Sequence, residues 1–318
     1  MKIQNLDFLL TFKCPAECKH CSYKAGPRNV GFMKQEDAER YLTELTNTNP
    51  LQSITVHGGE PFLYFKHLKH IVKTAKDLDI PRRGVITNSY WAKTKGIAGK
   101  KLQELNEAGL TQITFSVDAF HQEFIPLENV INAIISAANI DFDNIWIDSY
   151  FVADINADNF YNNKNREILK NLEEMDISNI NEYVAGFEGR GADLAKFGKV
   201  KDGLPSGKCP LPFWIGGDLT APTTVEIDWE GNVTLCPGIC IGNTRIQPLV
   251  EIIQHYDCTT HPILSEILDE GPKGLLKIAE AKGIKPDLLF VNECHLCYEL
   301  RKLLRPFYPQ FLAPSSCY

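Results

Sequence analysis

Hydrophobic residues follow two alternating patterns along residues 1–186. Stretches with apolar residues three or four positions apart predict amphipathic helices, as for Leu68, Ile71, Val72 and Ala75. Short runs rich in β-branched residues lie between them and predict strands. The predicted strands are 3–12, 52–57, 84–88, 111–117, 144–152 and 180–186, and the predicted helices are 34–47, 65–78, 97–108, 127–138 and 163–174.

This alternation predicts parallel strands joined by helical crossovers, the arrangement of an α/β protein. Six strands are too few for a closed barrel of eight units, so we expect a partial (β/α)6 barrel of the TIM type. In such folds functional residues collect at the carboxyl ends of the strands. Residues of chemical interest follow the first four strands: Cys14–Cys21, Gly58–Pro61, Asn88 and Asp118.

The pattern changes near residue 199, where five Pro or Gly residues interrupt Lys199–Pro212. We therefore predict two domains, residues 1–198 and residues 199–318. The second is predicted to contain a β-hairpin and an interrupted helical stretch, at 223–228 with 232–235 and at 262–283 respectively.

The composition is that of an ordinary globular protein, and it argues against several classes of function. A net charge of −7 is unlike a general nucleic-acid binder, because phosphate binding requires clustered Lys and Arg. The first twelve residues lack the features of a signal peptide, and no apolar run is long enough to span a bilayer. We expect a cytoplasmic protein that binds neither nucleic acid nor membrane. Its ten cysteines then favour metal or redox use over disulfides.

Three of these cysteines, Cys14, Cys18 and Cys21, lie within eight residues. A structural zinc site completed by His20 is one interpretation, since zinc is usually held by four Cys or His ligands. A [4Fe–4S] cluster is the other interpretation. Three thiolates would leave one iron without a protein ligand, and an open position is where a metal does chemistry.

Groups at the ends of the later strands could hold a ligand beside that metal. Glycines allow close approach of the backbone, and Glu60 supplies a carboxylate for an ammonium group. Hydroxyl, amide and carboxylate groups suit ribose hydroxyls or a ligand carboxylate, and Arg190 could pair with a carboxylate. The alternative is structural, because Gly-Gly turns are common and polar side chains cap helices. The candidates are Gly58, Gly59, Glu60, Pro61, Asn88, Ser116, Asp118 and Arg190.

The CxxxCxxC spacing of residues 14–21 resembles the signature of the radical S-adenosylmethionine superfamily, and residues 58–61 resemble its GGEP motif. The resemblance implies a [4Fe–4S] cluster whose open iron binds S-adenosylmethionine. It also implies that the GGEP segment holds the amino group of that cofactor, and that Ser116 and Asp118 contact its ribose or carboxylate. His20 stands where the family usually has an aromatic residue.

A second set of thiols lies in the predicted C-terminal domain. Cys294 and Cys297 form a CxxC pair, which readily holds one metal. The set resembles the SPASM and twitch extensions of the same superfamily, which implies an auxiliary [4Fe–4S] cluster held by Cys209, Cys236, Cys294 and Cys297. The run for a further cluster is missing, since residue 303 is Leu, so we expect one auxiliary cluster. Four thiolates could instead hold structural zinc.

Cys240 is a candidate catalytic residue with three interpretations. It could donate a hydrogen atom to a substrate radical, bind the auxiliary iron, or serve as a buried packing residue. Radical peptide epimerases carry their hydrogen-donating Cys where this chain has Pro237, so packing is favoured over the other two roles.

The resemblance implies an enzyme that reductively cleaves S-adenosylmethionine to a 5′-deoxyadenosyl radical, which abstracts hydrogen from a C–H bond. SPASM and twitch relatives mostly modify peptides, so a peptide or protein substrate is favoured. The alternatives are dehydrogenation or epimerisation of a small molecule, and a non-catalytic iron–sulfur or zinc protein. A flavodoxin- or ferredoxin-type reductant is the other expected partner.

Overall fold

One β-sheet runs through the described part of the chain, with helices between its parallel strands. The computed structural model describes residues 1–175, 177, 179–201, 203–205, 209, 215–286 and 289–318. Its strands are β1 (Asn5–Leu9), β2 (Ser53–His57), β3 (Arg82–Thr87), β4 (Gln112–Ser116), β5 (Asn144–Phe151), β6 (Ile180–Val184), β7 (Thr224–Asp228), β8 (Asn232–Cys236) and β9 (Ile239–Asn243). Its α-helices are α1 (Gln35–Thr48), α2 (Phe65–Asp77), α3 (Lys95–Ala108), α4 (Leu127–Ala137), α5 (Phe160–Glu173), α6 (Leu249–Gln254), α7 (Leu264–Glu270), α8 (Pro272–Ala281) and α9 (Glu293–Leu304).

The first six strands lie side by side in chain order and run parallel. One helix of the series α1–α5 connects each strand to the next. The apolar face predicted for α2 is the buried one, and it contains Leu68, Ile71, Val72 and Ala75. The α/β class and the partial (β/α)6 barrel are therefore confirmed.

The C-terminal hairpin extends this same sheet. β7 pairs in parallel with β1, placing Phe8 beside Ile227, and β8 and β9 follow as antiparallel strands. The full order is β6-β5-β4-β3-β2-β1-β7-β8-β9, so β1 lies inside the sheet and not at its edge. The sheet thus continues across the predicted boundary between residues 198 and 199.

One apolar cluster also joins the two sides of that boundary. It includes Phe8 and Val56 from the barrel together with Leu264, Leu300 and Leu304 from the C-terminal helices. Each of these side chains is fully buried, and such burial stabilises a fold by about 1.5–3 kcal/mol per side chain. The two regions pack as one core, and their division into two domains stays a prediction.

The C-terminal helices differ most from the sequence expectation. The helical stretch at 262–283, predicted to be interrupted at Gly271-Pro272, is two helices as expected, because Gly271 adopts a φ of 63° and Pro272 begins a new helix. Neither α6 nor α9 is predicted from the sequence, and α9 contains the CxxC pair. Across the described ranges, no helix combines the length and the apolar character needed to cross a membrane.

Candidate metal and cofactor site

A cavity of about 570 Å³ lies at the carboxyl ends of the parallel strands, and both predicted thiol sets line it. This placement agrees with the expectation that functional residues collect at that edge of a parallel sheet. The predicted site residues that line the cavity are Cys14, Cys18, His20, Cys21, Gly58, Gly59, Asn88, Ser116, Arg190, Cys209, Cys236, Cys294 and Cys297.

The loop after β1, which carries the first thiol set, is closed by its own hydrogen bonds. The Cys14 amide donates to Gly26 O at 3.1 Å, and the Gly26 amide donates to Phe12 O at 3.1 Å. The Thr11 hydroxyl donates to Gly31 O at 2.6 Å. These bonds tie the two ends of the loop together and fix the thiols between them.

Arg190 braces the same loop from the other end of the barrel. Its Nε donates to Cys18 O at 2.9 Å and its Nη2 donates to Ala25 O at 2.6 Å. Its amide also donates to Cys21 O at 3.0 Å. The guanidinium is therefore engaged by backbone carbonyls, and its predicted contact with a cofactor stays a prediction.

Thiols of this set contact side chains that follow other strands of the sheet. Asn88 Nδ2 donates to Cys14 Sγ at 3.4 Å, and the His121 ring lies near Cys18. Burial raises the pKa of Cys14 and of Cys21. Buried thiolates require a neighbouring positive charge, which a metal centre supplies, and hydrogen bonds to sulfur tune the potential of that centre.

The His20 ring packs among aromatic side chains at the cavity wall. Its centroid lies 4.8 Å from that of Phe120, 4.9 Å from that of His121 and 5.2 Å from that of Tyr150. Burial lowers the pKa of His20 to about 4, so the ring is neutral at physiological pH. Possible ligand atoms of His20, Asp118 and His121 lie within 4.8 Å of one another, in a group that contains no thiol. A zinc site formed by His20 and the thiols gains no support from this grouping.

The two glycines of residues 58–61 allow a close contact between two parts of the chain. Gly58 has a φ of 130°, a conformation that other residues rarely adopt. The Gly59 amide donates to Thr11 O at 2.6 Å, and the Glu60 amide donates to Lys13 O at 2.9 Å. A Cβ on Gly59 would collide with the Lys13 carbonyl. Glycine is therefore needed for the end of β2 to reach the start of the thiol loop.

The Glu60 side chain is fully buried, and its carboxylate accepts three hydrogen bonds. Phe62 N and Thr87 Oγ1 donate to Oε1 at 3.1 Å and 2.8 Å, and Asn88 N donates to Oε2 at 2.8 Å. Burial raises the pKa of Glu60 to about 7, although these bonds oppose the rise. In the described structure neither Glu60 nor Pro61 lines the cavity. Glu60 thus links the end of β2 to the end of β3 through hydrogen bonds, and its contact with an ammonium group stays a prediction.

Asn88 and Ser116 line the cavity, whereas Asp118 is buried beside it. Asp118 Oδ1 accepts from Phe120 N at 3.0 Å and from His121 N at 2.9 Å, and Oδ2 lies 2.9 Å from His121 Nδ1. Burial alone would lower the pKa of His121, but the interactions with Asp118 and Cys18 together outweigh burial and raise that pKa well above its usual range. Asp118 therefore orients His121 at the cavity wall, and its contact with a cofactor stays a prediction.

The second thiol set is drawn from three parts of the C-terminal region. Cys236 ends β8, and Cys294 and Cys297 lie in the first two turns of α9, where a spacing of three residues puts them on one helix face. Burial raises the pKa of Cys236 and Cys297, and that of Cys294 to about 12. The charges of Cys209 and Cys297 raise the pKa of the other two further, and all four cysteines line the same cavity.

Cys240 lies on β9, and its side chain is buried away from the cavity. The thiol donates to Gly242 O at 3.1 Å. Cys236, Pro237 and Ile239 line the cavity, but in the described structure Cys240 does not. This placement favours packing over a role as hydrogen donor or iron ligand.

Some cavity residues are absent from the sequence prediction. Asp148 and Tyr150 lie two positions apart on β5 and so project from one face, and Asn181 Nδ2 donates to Asp148 Oδ1 at 3.0 Å. Arg301 lies four positions after Cys297 on α9 and lines the cavity beside it. The sequence contains a signal for each: Asp148 and Tyr150 alternate along one strand, and Arg301 follows Cys297 at a helical spacing of four residues.

Comparison with known families identifies the first part of the chain. Residues 8–160 match the model of the Radical SAM superfamily. This range contains the thiol loop after β1, the Gly58–Pro61 motif and the strands β2 to β5 of the barrel. The family resemblance is therefore confirmed over residues 8–160. The family implies a [4Fe–4S] cluster and S-adenosylmethionine as cofactors, and the first thiol set and the cavity around it fit both.

One relative of this chain is YydG of Bacillus subtilis (strain 168), a protein named for peptide biosynthesis. It is 29% identical over 129 residues. The aligned segment spans 39% of this chain and 39% of YydG, so well under half of either protein is compared.

Solved structures share the fold over nearly the whole chain. A structure described as native anSMEcpe with bound AdoMet and Cp18Cys peptide has a TM-score of 0.55 at 13% identity, covering 96% of this chain and 98% of that one. Native anSMEcpe with bound AdoMet has a TM-score of 0.53 at 13% identity, covering 96% of this chain and 97% of that one. At this level of identity the likeness shows the fold alone.

Proposed function

We propose that this protein is a radical S-adenosylmethionine enzyme that modifies a peptide or protein. The main support is a single cavity lined by Cys14, Cys18 and Cys21 together with Gly58 and Gly59. When bound there, the [4Fe–4S] cluster and S-adenosylmethionine would supply a 5′-deoxyadenosyl radical that removes hydrogen from a C–H bond.

The protein's own contribution is to position these groups and to keep water away from them. Arg190 and the glycine motif hold the thiol loop, while Asn88 donates to Cys14 Sγ and His121 lies near Cys18. Apolar side chains form other parts of the wall, including Ile215 and Leu264. Such a wall protects a reactive radical from water and stray hydrogen donors.

The proposal includes a SPASM- or twitch-like domain, residues 199–318, that holds one auxiliary [4Fe–4S] cluster. Its support is the approach of Cys209, Cys236, Cys294 and Cys297 at the wall of the same cavity. Four thiolates also suit zinc, so metal analysis of protein purified without oxygen separates the two. Zinc in place of iron would contradict this part of the proposal.

A peptide substrate is favoured over a small molecule by two of the comparisons. The name of YydG refers to peptide biosynthesis, and one anSMEcpe structure contains the Cp18Cys peptide. The cytoplasmic location and the flavodoxin- or ferredoxin-type reductant stay predictions.

Deuterium transfer tests the substrate class. Extract from cells grown on deuterated amino acids and sugars is separated by size into peptides, proteins and small metabolites, without oxygen. The reduced enzyme with S-adenosylmethionine should form deuterated 5′-deoxyadenosine with the peptide or protein fraction. Deuterium from the metabolite fraction alone would contradict a peptide substrate. A reduced, iron-loaded protein that does not cleave S-adenosylmethionine would contradict the enzyme itself.

Cys240→Ala should leave both the iron content and the modification of substrate unchanged. The reason is that its thiol donates to Gly242 O inside the hydrophobic core and does not line the cavity. The free energy of unfolding should fall by about 1 kcal/mol, as for other small truncations in a core. Iron content, product yield and thermal unfolding check this result. Lost product with intact 5′-deoxyadenosine formation would instead assign a hydrogen-donor role to Cys240.

A further inference from the structure

A buried positive charge lies beside the second thiol set. Arg301 is only 1% exposed, and it lines the cavity together with Cys294 and Cys297. The intervals of three and four residues place all three side chains on one face of α9. A guanidinium removed from water in this way requires compensation from hydrogen bonds and negative charge.

Hydrogen bonds and aromatic rings hold the guanidinium in one place. Its Nη1 donates to Pro237 O at 2.7 Å and to the Tyr318 hydroxyl at 3.1 Å. Its Cζ lies 5.8 Å from the ring centroids of both Tyr298 and Tyr318. Arginine suits such a site because its planar group stacks on rings while it donates hydrogen bonds.

The thiols beside this charge become negative when they bind a metal, since the thiolate is the form that acts as a ligand. Burial raises the pKa of Cys236, Cys294 and Cys297, and the nearby charge of Arg301 opposes that rise in each case. Glu188 is a further acidic group in the same surroundings. The Nε of Arg301 has no hydrogen-bond partner within the described ranges. The site is thus built for an anionic group next to Arg301, which a cluster held by four thiolates would be.

We propose that Arg301 is a positioning residue that sets the charge around the auxiliary cluster and raises its reduction potential. This inference rests on the auxiliary cluster proposed above. Four thiolates give such a cluster a net negative charge, and an added electron makes it more negative. A fixed cation at this distance therefore favours the reduced form.

The test uses full-length protein in which Cys14, Cys18 and Cys21 are replaced by Ala, so that the second set holds the remaining cluster. After anoxic reconstitution, the potential is measured by electron paramagnetic resonance during titration with dithionite. In this background Arg301→Gln should make reduction at least tenfold less favourable, a shift of about 59 mV to lower potential for one electron. Arg301→Lys keeps the charge, so its potential should stay near that of the unsubstituted protein.

Lys302→Gln is the matched control. It removes a cation from the neighbouring position of α9, where the side chain is 50% exposed and water screens its charge. Its potential should not change.

Each other outcome counts against the inference. An unshifted potential in Arg301→Gln at full iron content would overturn it and leave the auxiliary cluster standing. A tenfold loss in Arg301→Lys would also overturn it, because that variant retains the charge. Loss of iron from both variants would assign Arg301 to cluster assembly instead. Absence of iron from the protein with Arg301 intact would overturn the auxiliary cluster and the inference together.

Discussion

Replacement of Cys14, Cys18 and Cys21 by Ala should abolish cleavage of S-adenosylmethionine. These thiols are the CxxxCxxC set of the radical SAM domain, and they line the cavity beside the glycine motif. Without them the first cluster has no protein ligands, since the second thiol set lies on other elements of the chain. Iron should fall from about eight to about four atoms per chain after anoxic reconstitution. Iron analysis and the yield of 5′-deoxyadenosine after reduction measure both effects.

Cys258→Ala is the control for this experiment. Cys258 is 3% exposed and belongs to the apolar core, and it is not among the described residues that line the cavity. This variant should keep all of its iron and its cleavage activity. Cleavage by the triple variant would contradict the assignment of the first thiol set. Complete loss of iron from it would show that the second set does not hold a cluster independently.

The barrel could be predicted from the sequence to within a few residues because its signals are local. The predicted helix 65–78 corresponds to α2 (Phe65–Asp77), whose apolar repeat is regular. β9 gives no such signal in the sequence. Its five residues pair with β8 through shifts in register, so a regular strand pattern does not describe them. α9 does repeat Leu296, Leu300 and Leu304 at helical spacing, so this helix has a local signal in the sequence although it is not among the predicted elements.

The candidate site could be predicted only in part, because some of its features depend on sheet topology and others on contacts between distant segments. Thiols and glycines at strand ends come together because parallel strands end at one edge of a sheet. Hydrogen-bond partners depend on chain segments that are distant in sequence. Arg190 reaches Cys18 O across 172 positions, and Asn88 reaches Cys14 across 74. The sequence alone cannot show that these side chains brace the thiol loop.

The same distinction between bracing and ligand contact applies to Glu60. The Glu60→Gln variant should lower the free energy of unfolding by about 1–3 kcal/mol, because the amide group of Gln would face a buried N–H or O–H that now donates to the carboxylate. It should also weaken binding of S-adenosylmethionine about 10- to 100-fold, if the carboxylate holds the methionine ammonium. Thermal unfolding and equilibrium binding to the iron-loaded protein measure the two effects separately.

Thr87→Val separates the two roles of Glu60. The Thr87 hydroxyl donates to Glu60 Oε1 at 2.8 Å, so this variant disturbs the same buried network and keeps the carboxylate. It should destabilise the protein at least as much, because Ser89 N and Trp91 Nε1 also donate to that hydroxyl, while affinity for S-adenosylmethionine falls less than about threefold. Equal losses of affinity in the two variants would mean that Glu60 acts only by bracing the strand ends and Asn88. An unchanged affinity in Glu60→Gln at full iron content would exclude the carboxylate from cofactor binding altogether.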